Sequence, residues 1–347
     1  MLQAYRDELQ IMLKQNLPWN RLAGKTVMLS GATGMIGKCI VDLLMQCNER
    51  ILADDPVCIT ALSRNEESAR QRLGEYWNGK NFRYAVCDVV RELPDLGEAD
   101  YVIHAASNTH PLQYAKDPVG TITANVIGTK NLLDYAVSRR AERFCFVSSV
   151  EIYGENRGDV ERFKEVDLGY LDCNTLRAGY PESKRVGEAL CNAYAQAYGI
   201  DFVIPRLSRV YGPTMLHSDS KAVAQFIKKA AAGEDIILKS AGTQCYSYTY
   251  ALDAAMGILT VLLKGESGET YNISDKQSEV TLRQITEWLA EDQNVQVVFH
   301  VPEEAEQAGY STATKALLDT DRIEALGWRP QTHMRDGLRK TVQSLTD

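Results

Sequence analysis

Long uncharged apolar runs are missing from this 347-residue chain, which leaves no segment of membrane-spanning length. Runs of Lys or Arg are missing too, and the formal net charge is −8; both argue against a nucleic-acid surface. Histidine is scarce. His217 and His300 stand without partners at ligand spacing, so no metal site is expected. The eight cysteines, at 39, 47, 58, 87, 145, 173, 191 and 245, form no C-x-x-C pair. Several fall in apolar runs such as Phe144-Cys-Phe-Val147, so buried reduced thiols are expected rather than disulfides. The first residues lack the core of a secretory signal, and the expected compartment is the cytoplasm. Neither an internal repeat nor a low-complexity linker breaks the chain.

What is present begins with a glycine-rich stretch, Gly31-Ala-Thr-Gly34-Met-Ile-Gly37. The run Thr26–Ser30 before it is short and apolar, as a buried parallel strand should be. Behind it Ile36, Ile40, Leu43 and Leu44 recur at helical spacing. The glycines thus sit where a strand turns into a helix, the context a dinucleotide fingerprint requires. Without side chains the turn can be tight, and the helix N-terminus faces an anion such as a pyrophosphate.

Downstream lies Tyr180-Pro-Glu-Ser-Lys184, whose phenol and ammonium share a helix face one turn apart. A free tyrosine titrates near ~10, too high for a base at neutral pH. A neighbouring ammonium and an oxidised nicotinamide would both favour the phenolate. Together the two motifs form the minimum equipment for moving a hydride between a nicotinamide and a carbon bearing a hydroxyl.

Hydrophobic residues make up 45% of the chain, enough for one large or two intimate domains. Strand-like runs at 26–30, 57–62, 82–86, 101–105, 144–148 and 202–206 alternate with helical patterns. That alternation predicts an α/β fold built on a doubly wound parallel sheet. After Pro213 the pattern loosens into helices and short strands, consistent with a smaller lobe. Residues 1–24 predict an additional amphipathic helix with Tyr5, Leu9, Met12 and Leu13 on one face, for packing or a dimer contact.

From about Lys25 to its end the chain resembles the extended short-chain dehydrogenase/reductase family, the nucleotide-sugar epimerases and dehydratases. The resemblance is carried by the two motifs above and by Phe146-Val-Ser-Ser-Val-Glu-Ile-Tyr-Gly154, His104-Ala-Ala-Ser107, Asn125-Val-Ile-Gly-Thr129, Arg206-Leu-Ser-Arg-Val-Tyr-Gly-Pro213 and Leu326-Gly-Trp328. It implies a Rossmann domain over 25–212, to which 246–261 returns, and an α+β substrate-binding lobe over 213–245 and 262–347. It also implies a homodimer and a nucleotide-sugar substrate.

The resemblance assigns catalysis to Ser149, Tyr180 and Lys184, with Glu151 for later chemistry at sugar carbon 5. If the strand bearing Ser149 persists, Ser149 and Glu151 share a face. The implied dinucleotide contacts are Gly31, Thr33, Gly34, Met35, Ile36 and Gly37 in the turn, then Ser63 and Arg64 after the second strand. Asp88 and Val89, then His104, Ala105 and Ala106, follow the next two strands; Asn125, Tyr180 and Lys184 complete the set. Family members that prefer NAD usually carry an acid where this chain has Ser63-Arg64, so NADP is favoured weakly over NAD.

The stretch from His104 to Tyr114, with Asp117-Pro118, is similar to the substrate loop of UDP-glucuronate decarboxylases, as is Arg177 three residues before Tyr180. Substrate contacts are expected from Ser107, His110, Tyr114, Arg177, Arg209 and Tyr246. Four positions depart from the pattern. Val150 replaces the acid of dTDP-glucose dehydratases, Arg209 stands where an Asn is usual, and Tyr246 and Thr214 stand where Arg is usual. The implied activity passes through a 4-keto sugar toward decarboxylation, dehydration or epimerisation. A NADPH-dependent reductase and a non-catalytic dinucleotide sensor are the alternatives.

Overall fold

The computed structural model describes residues 2–109, 116–300 and 314–346. Its main sheet is built from Thr26–Ser30 (β1), Cys58–Ser63 (β2), Phe82–Val86 (β3), Tyr101–His104 (β4), Arg143–Phe146 (β5), Ser148–Ser149 (β6) and Phe202–Leu207 (β7). Glu269–Ile273 adds a further edge strand, in parallel register beside β7. The path across the sheet is Glu269–Ile273, β7, β5, β4, β1, β2, β3, with the short β6 also pairing with β7. Every one of these pairings is parallel. All five residues of β1 are buried, because helices cover both faces of a parallel sheet.

The chain winds outward from β1 through β2 to β3, then crosses back to place β4 on the other side of β1. The reversal opens a crevice at the C-terminal ends of β1 and β4, where open α/β sheets bind ligands. Among the described residues up to 200, the α-helices that frame the sheet are Gln3–Leu13 (α1), Met35–Arg50 (α2), Glu66–Leu73 (α3), Pro118–Ser138 (α4) and Gly179–Tyr198 (α5). Asp117 caps α4 by accepting the Gly120 N–H at 2.9 Å, and Pro118 begins it. Gly199, at φ +72°, ends α5 in the left-handed region. Among the described residues no helix is long and apolar enough to cross a membrane.

A second, smaller sheet pairs Cys245–Tyr250 with Asp275–Thr281, Lys315–Ala316 and Arg209–Tyr211. Two assignments differ from the sequence pattern. Glu269–Ile273 falls in a segment expected in the lobe, yet it extends the main sheet, because buried Tyr271 and Ile273 need the cover that β7 and its neighbours supply. Of the segment expected to return to the main domain, Cys245–Tyr250 stays in the small sheet. Only the helix Ala251–Lys264, buried along nearly its whole length, returns against α2.

The N-terminal helix packs on α2 through Tyr5, Leu9, Met12 and Leu13. The Tyr5 hydroxyl donates to the Asp42 carboxylate at 2.9 Å, as does that of Tyr76 at 2.9 Å, while Lys38 pairs with it at 2.8 Å. Burial pushes the Asp42 carboxyl upward, and Lys38 with the two phenols opposes this. The residue that docks α1 is thus a carboxylate needing every donor it has. Tyr5→Phe removes one donor and should cost roughly 1–3 kcal/mol. The check is urea unfolding: a lower midpoint with an unchanged slope.

Candidate active site

The crevice is floored by the glycine turn. Gly31 lies at φ +74°, and a Cβ there would meet the carbonyl of Ala105 and the nitrogen of Ala106 at 2.8 Å. A Cβ on Gly37 would stand 2.2 Å from the Gly31 oxygen. Both positions therefore admit glycine alone. Gly34 precedes α2 without a side-chain cap, so the first N–H groups of that helix, at Met35 and Ile36, face the crevice. An open, uncapped helix start beside glycines fits a pyrophosphate, and Thr33 lies half-buried beside it.

The remaining dinucleotide positions lie along the same strand ends. The Ser63 hydroxyl sits 3.0 Å from that of Tyr84, and Arg64 is exposed beside it. Asp88 accepts the Val90 N–H at 3.3 Å, and Val89 is buried against Gly128. His104 is fully buried with its Nδ1 2.7 Å from the Ser30 hydroxyl, and burial together with Lys184 pushes its pKa down to about 3. Its neutral ring is an internal tie between β1 and β4; Ala105 and Ala106 are what this strand end offers the crevice. Asn125 is buried as well and donates to Ser183 at 2.9 Å, bracing α5 behind Tyr180.

Ser149, Tyr180 and Lys184 come together. The Ser149 side chain hydrogen-bonds the Tyr180 phenol. Lys184 is buried, donates to the Val147 carbonyl at 2.8 Å, and stands 4.6 Å from the centre of the Phe146 ring. Burial pulls its ammonium down to about 7, against the upward pull of Glu188 and Cys191. Burial pushes Tyr180 up to about 12; the Ser149 hydrogen bond opposes this and the Glu151 charge adds to it. The phenol is therefore not lowered by the protein alone, contrary to the expectation from Lys184. Desolvation dominates, and the Lys184 ammonium is turned to the Val147 carbonyl.

Glu151 also reaches the site, by a different route from the one expected. The strand stops at Ser149, which caps a short 3-10 turn over Val150–Tyr153 by accepting the Glu151 N–H at 3.2 Å. From that turn the Glu151 carboxylate accepts from Arg177 at 3.0 Å and from Arg209 at 3.3 Å. The Arg209 guanidinium stacks on Tyr246, 3.5 Å from the ring centre. Its Nη1 and the hydroxyl of Tyr248 are both buried without a hydrogen-bond partner among the described residues. Ser107, half-buried at the crevice, donates to the Asn108 carbonyl at 3.3 Å, while His110 and Tyr114 lie outside the described residues.

Sequence reasoning missed Glu188 and Arg206, which form a buried ion pair at 2.6 Å below the site. The spacing Tyr180, Lys184, Glu188, one residue per helical turn, was the available signal.

Residues 27–274 match the NAD dependent epimerase/dehydratase family. The chain belongs to that family. It is similar to UDP-glucuronic acid decarboxylase 5 of Arabidopsis thaliana, with 31% identity over 90% of this chain and 86% of that one. Human dTDP-D-glucose 4,6-dehydratase is 28% identical over 94% of this chain and 92% of its own. Among solved structures, a dTDP-glucose 4,6-dehydratase of Streptomyces venezuelae with NAD bound superimposes at a TM-score of 0.77. It is 26% identical, covering 92% of this chain and 96% of that one. As a family member this chain is an enzyme, and the glycine cradle is where the family's dinucleotide fits.

Gly37→Ala tests that cradle directly. The added methyl would push α2 off the Gly31 carbonyl, and dinucleotide affinity should fall roughly 5- to 150-fold, as overpacking of ~1–3 kcal/mol implies. Fluorescence titration with reduced dinucleotide measures it; unchanged affinity would refute the packing argument.

Proposed function

We propose that this enzyme oxidises carbon 4 of a nucleotide-linked hexuronate, a UDP-glucuronate-like sugar, and releases its carboxylate as carbon dioxide. The observation that carries this reading is the bracket of Arg177 and Arg209 around Glu151, two cations against one anion beside Tyr180. A neutral sugar would leave the second cation unmatched. A sugar carboxylate would match it, and the arginine–carboxylate pair is strong and directional. The similarity to a UDP-glucuronic acid decarboxylase supports the same substrate class.

The residues then divide the work. Ser149 hydrogen-bonds the reacting hydroxyl, and Tyr180 takes its proton as hydride leaves carbon 4. A bound nicotinamide supplies the acceptor and later the donor of that hydride. The positive charge of an oxidised nicotinamide would favour the phenolate against the burial that holds Tyr180 high. One of the two arginines turns to the sugar carboxylate and orients it next to the new ketone, while the other keeps Glu151. Carbon–carbon cleavage releases carbon dioxide, and its electron pair passes into the adjacent carbonyl as an enolate. A proton from solvent adds to carbon 5 and turns the enolate back into a ketone, and Tyr180 returns its proton to oxygen 4 as hydride reduces carbon 4 again. Both Glu151 oxygens are occupied by arginines, so Glu151 acts on carbon 5 only once one of those pairs opens.

The dinucleotide is read as NAD, which the solved relative holds, although Arg64 stays open beside Ser63 and would accommodate a 2′-phosphate. Comparative titration with NAD and NADP decides between them. A second copy of the chain is the proposed partner for the face formed by α4 and α5. There Val119 is 70% exposed and Ile122, Ile127 and Val186 are each more than 40% exposed, a patch that isolated helices leave uncovered only when something packs on it. Sedimentation velocity should show a dimer; a monomer at micromolar concentration would contradict this. All eight cysteines are free, which supports a reducing compartment such as the cytoplasm.

The decisive assay is mass spectrometry of UDP-glucuronate incubated with enzyme and NAD. Loss of carbon dioxide is expected, with UDP-glucose and dTDP-glucose left unchanged, and Tyr180→Phe should be slower by about 10²–10⁴-fold. Loss of water from a neutral sugar nucleotide, or consumption of one NADPH per product, would replace this reading with the dehydratase or the reductase.

A further inference from the structure

Under the reacting groups lies a polar network that the mechanism above does not use. Glu188 sits on α5 one turn beyond Lys184 and two turns beyond Tyr180, and only 9% of it is exposed. Its Oε1 accepts from the Ser148 hydroxyl at 2.5 Å and from Arg206 Nε at 3.0 Å, while Oε2 accepts from Arg206 Nη2 at 2.6 Å. Arg206, on β7 and 6% exposed, spends its remaining donors on the Tyr153 hydroxyl at 2.9 Å and the Glu165 carbonyl at 2.7 Å. Tyr153 passes the chain to Asn272 at 2.6 Å on the neighbouring edge strand.

The placement matters because the catalytic groups come from two separate pieces of backbone. Ser149 is carried by β6, whose two residues pair with Arg206 and Leu207 of β7. Tyr180 and Lys184 are carried by α5. Ser148, adjacent to Ser149, and Arg206, its partner across the strands, both close on the one carboxylate that α5 directs at them. Rotation or sliding of α5 relative to β6 would break at least one of these three bonds and leave a buried charge uncompensated, which is strongly unfavourable.

We propose that Glu188, locked to Arg206 and Ser148, is a positioning residue that fixes Tyr180 and Lys184 against Ser149 for the reaction. The proposal rests on the catalytic reading of those three groups. Glu188 acts on Lys184 in a second way, through charge. The titratable groups facing Lys184 are Glu188 and Cys191 on its own helix, Tyr180 one turn back, and the neutral His104 on β4. Of these Glu188 is the nearby anion that favours the ammonium, and with it removed the Arg206 cation would be left unbalanced. Lys184 would then lose its proton at lower pH.

The test uses three variants of the full chain, assayed by product formation across pH. Glu188→Gln keeps the volume and one acceptor but removes the charge. Its turnover should fall about 10- to 100-fold, as expected for a misplacement on the order of 1 Å. KM for the sugar nucleotide should stay within about twofold, since Arg177 and Arg209 are untouched. The limb of kcat that falls with rising pH should move to lower pH. Glu188→Asp retains the charge and should restore the position of that limb with only part of the turnover. Ser148→Ala should lower kcat without moving the limb.

Full turnover and an unmoved limb in Glu188→Gln would overturn the proposal, as would a loss that appears in the KM of the sugar nucleotide with kcat unchanged. If Glu188→Gln does not fold, Ser148→Ala and Glu188→Asp carry the test, and full turnover in both would overturn it. The underlying catalytic reading fails separately, by retained turnover in Tyr180→Phe.

Discussion

A Cβ on Gly187 would lie 2.3 Å from the Phe146 ring, and that contact sets where α5 rests on the sheet. A side chain at Gly187 would lift the helix and with it Tyr180 and Lys184, which lie on the same stretch of α5. The phenol would then leave Ser149, and the ammonium would leave the Val147 carbonyl that holds it at 2.8 Å. The same ring receives the Lys184 charge on its face at 4.6 Å, so Phe146 is both the seat of the helix and part of the solvation of its buried cation. Everything polar in the site is arranged around this apolar approach.

Burial has costs that the surrounding groups offset. Lys184 stays near the edge of protonation because desolvation lowers it and Glu188 raises it. Tyr180 is held high by the same desolvation. Burial thus brings proton exchange at Lys184 toward neutrality while it moves the Tyr180 phenol the other way. The site also keeps its charges in small sets: Glu151 with two arginines and Glu188 with Arg206. Of these two the first carries an excess cation, and it lies beside Tyr180.

What the sequence disclosed, and what it hid, follows from range of interaction. The glycine turn is local: strand, tight turn and helix start lie within residues 26–37, and each has a signature in composition or spacing. Tyr180 and Lys184 are four residues apart and were legible for the same reason. The alternating strands were placed within a residue or two, because a parallel sheet buried on both faces needs apolar runs. Long-range facts were not legible. The stacking of Arg209 on Tyr246 joins residues on neighbouring strands, and the Glu151 pairs join a turn to a helix approach and to another strand. The strand bearing Ser149 ends early because a serine hydroxyl can cap a turn as readily as it can sit in a strand, and spacing alone does not distinguish the two. His104 read as a group beside the nicotinamide, yet its ring bonds Ser30 inside the sheet. Glu269–Ile273, in a segment expected in the lobe, was not legible as a strand of the main sheet, because pairing partners of a short strand are set by tertiary packing.

The central claim is that the dinucleotide is reduced and reoxidised within each turnover while the sugar loses carbon dioxide. Stopped-flow absorbance of reduced nicotinamide during a single turnover of UDP-glucuronate measures this most directly. The account predicts a rise that decays fully as carbon dioxide appears, with no reduced dinucleotide left at the end. A stable accumulation of reduced dinucleotide equal to product, or product without any transient, would contradict it.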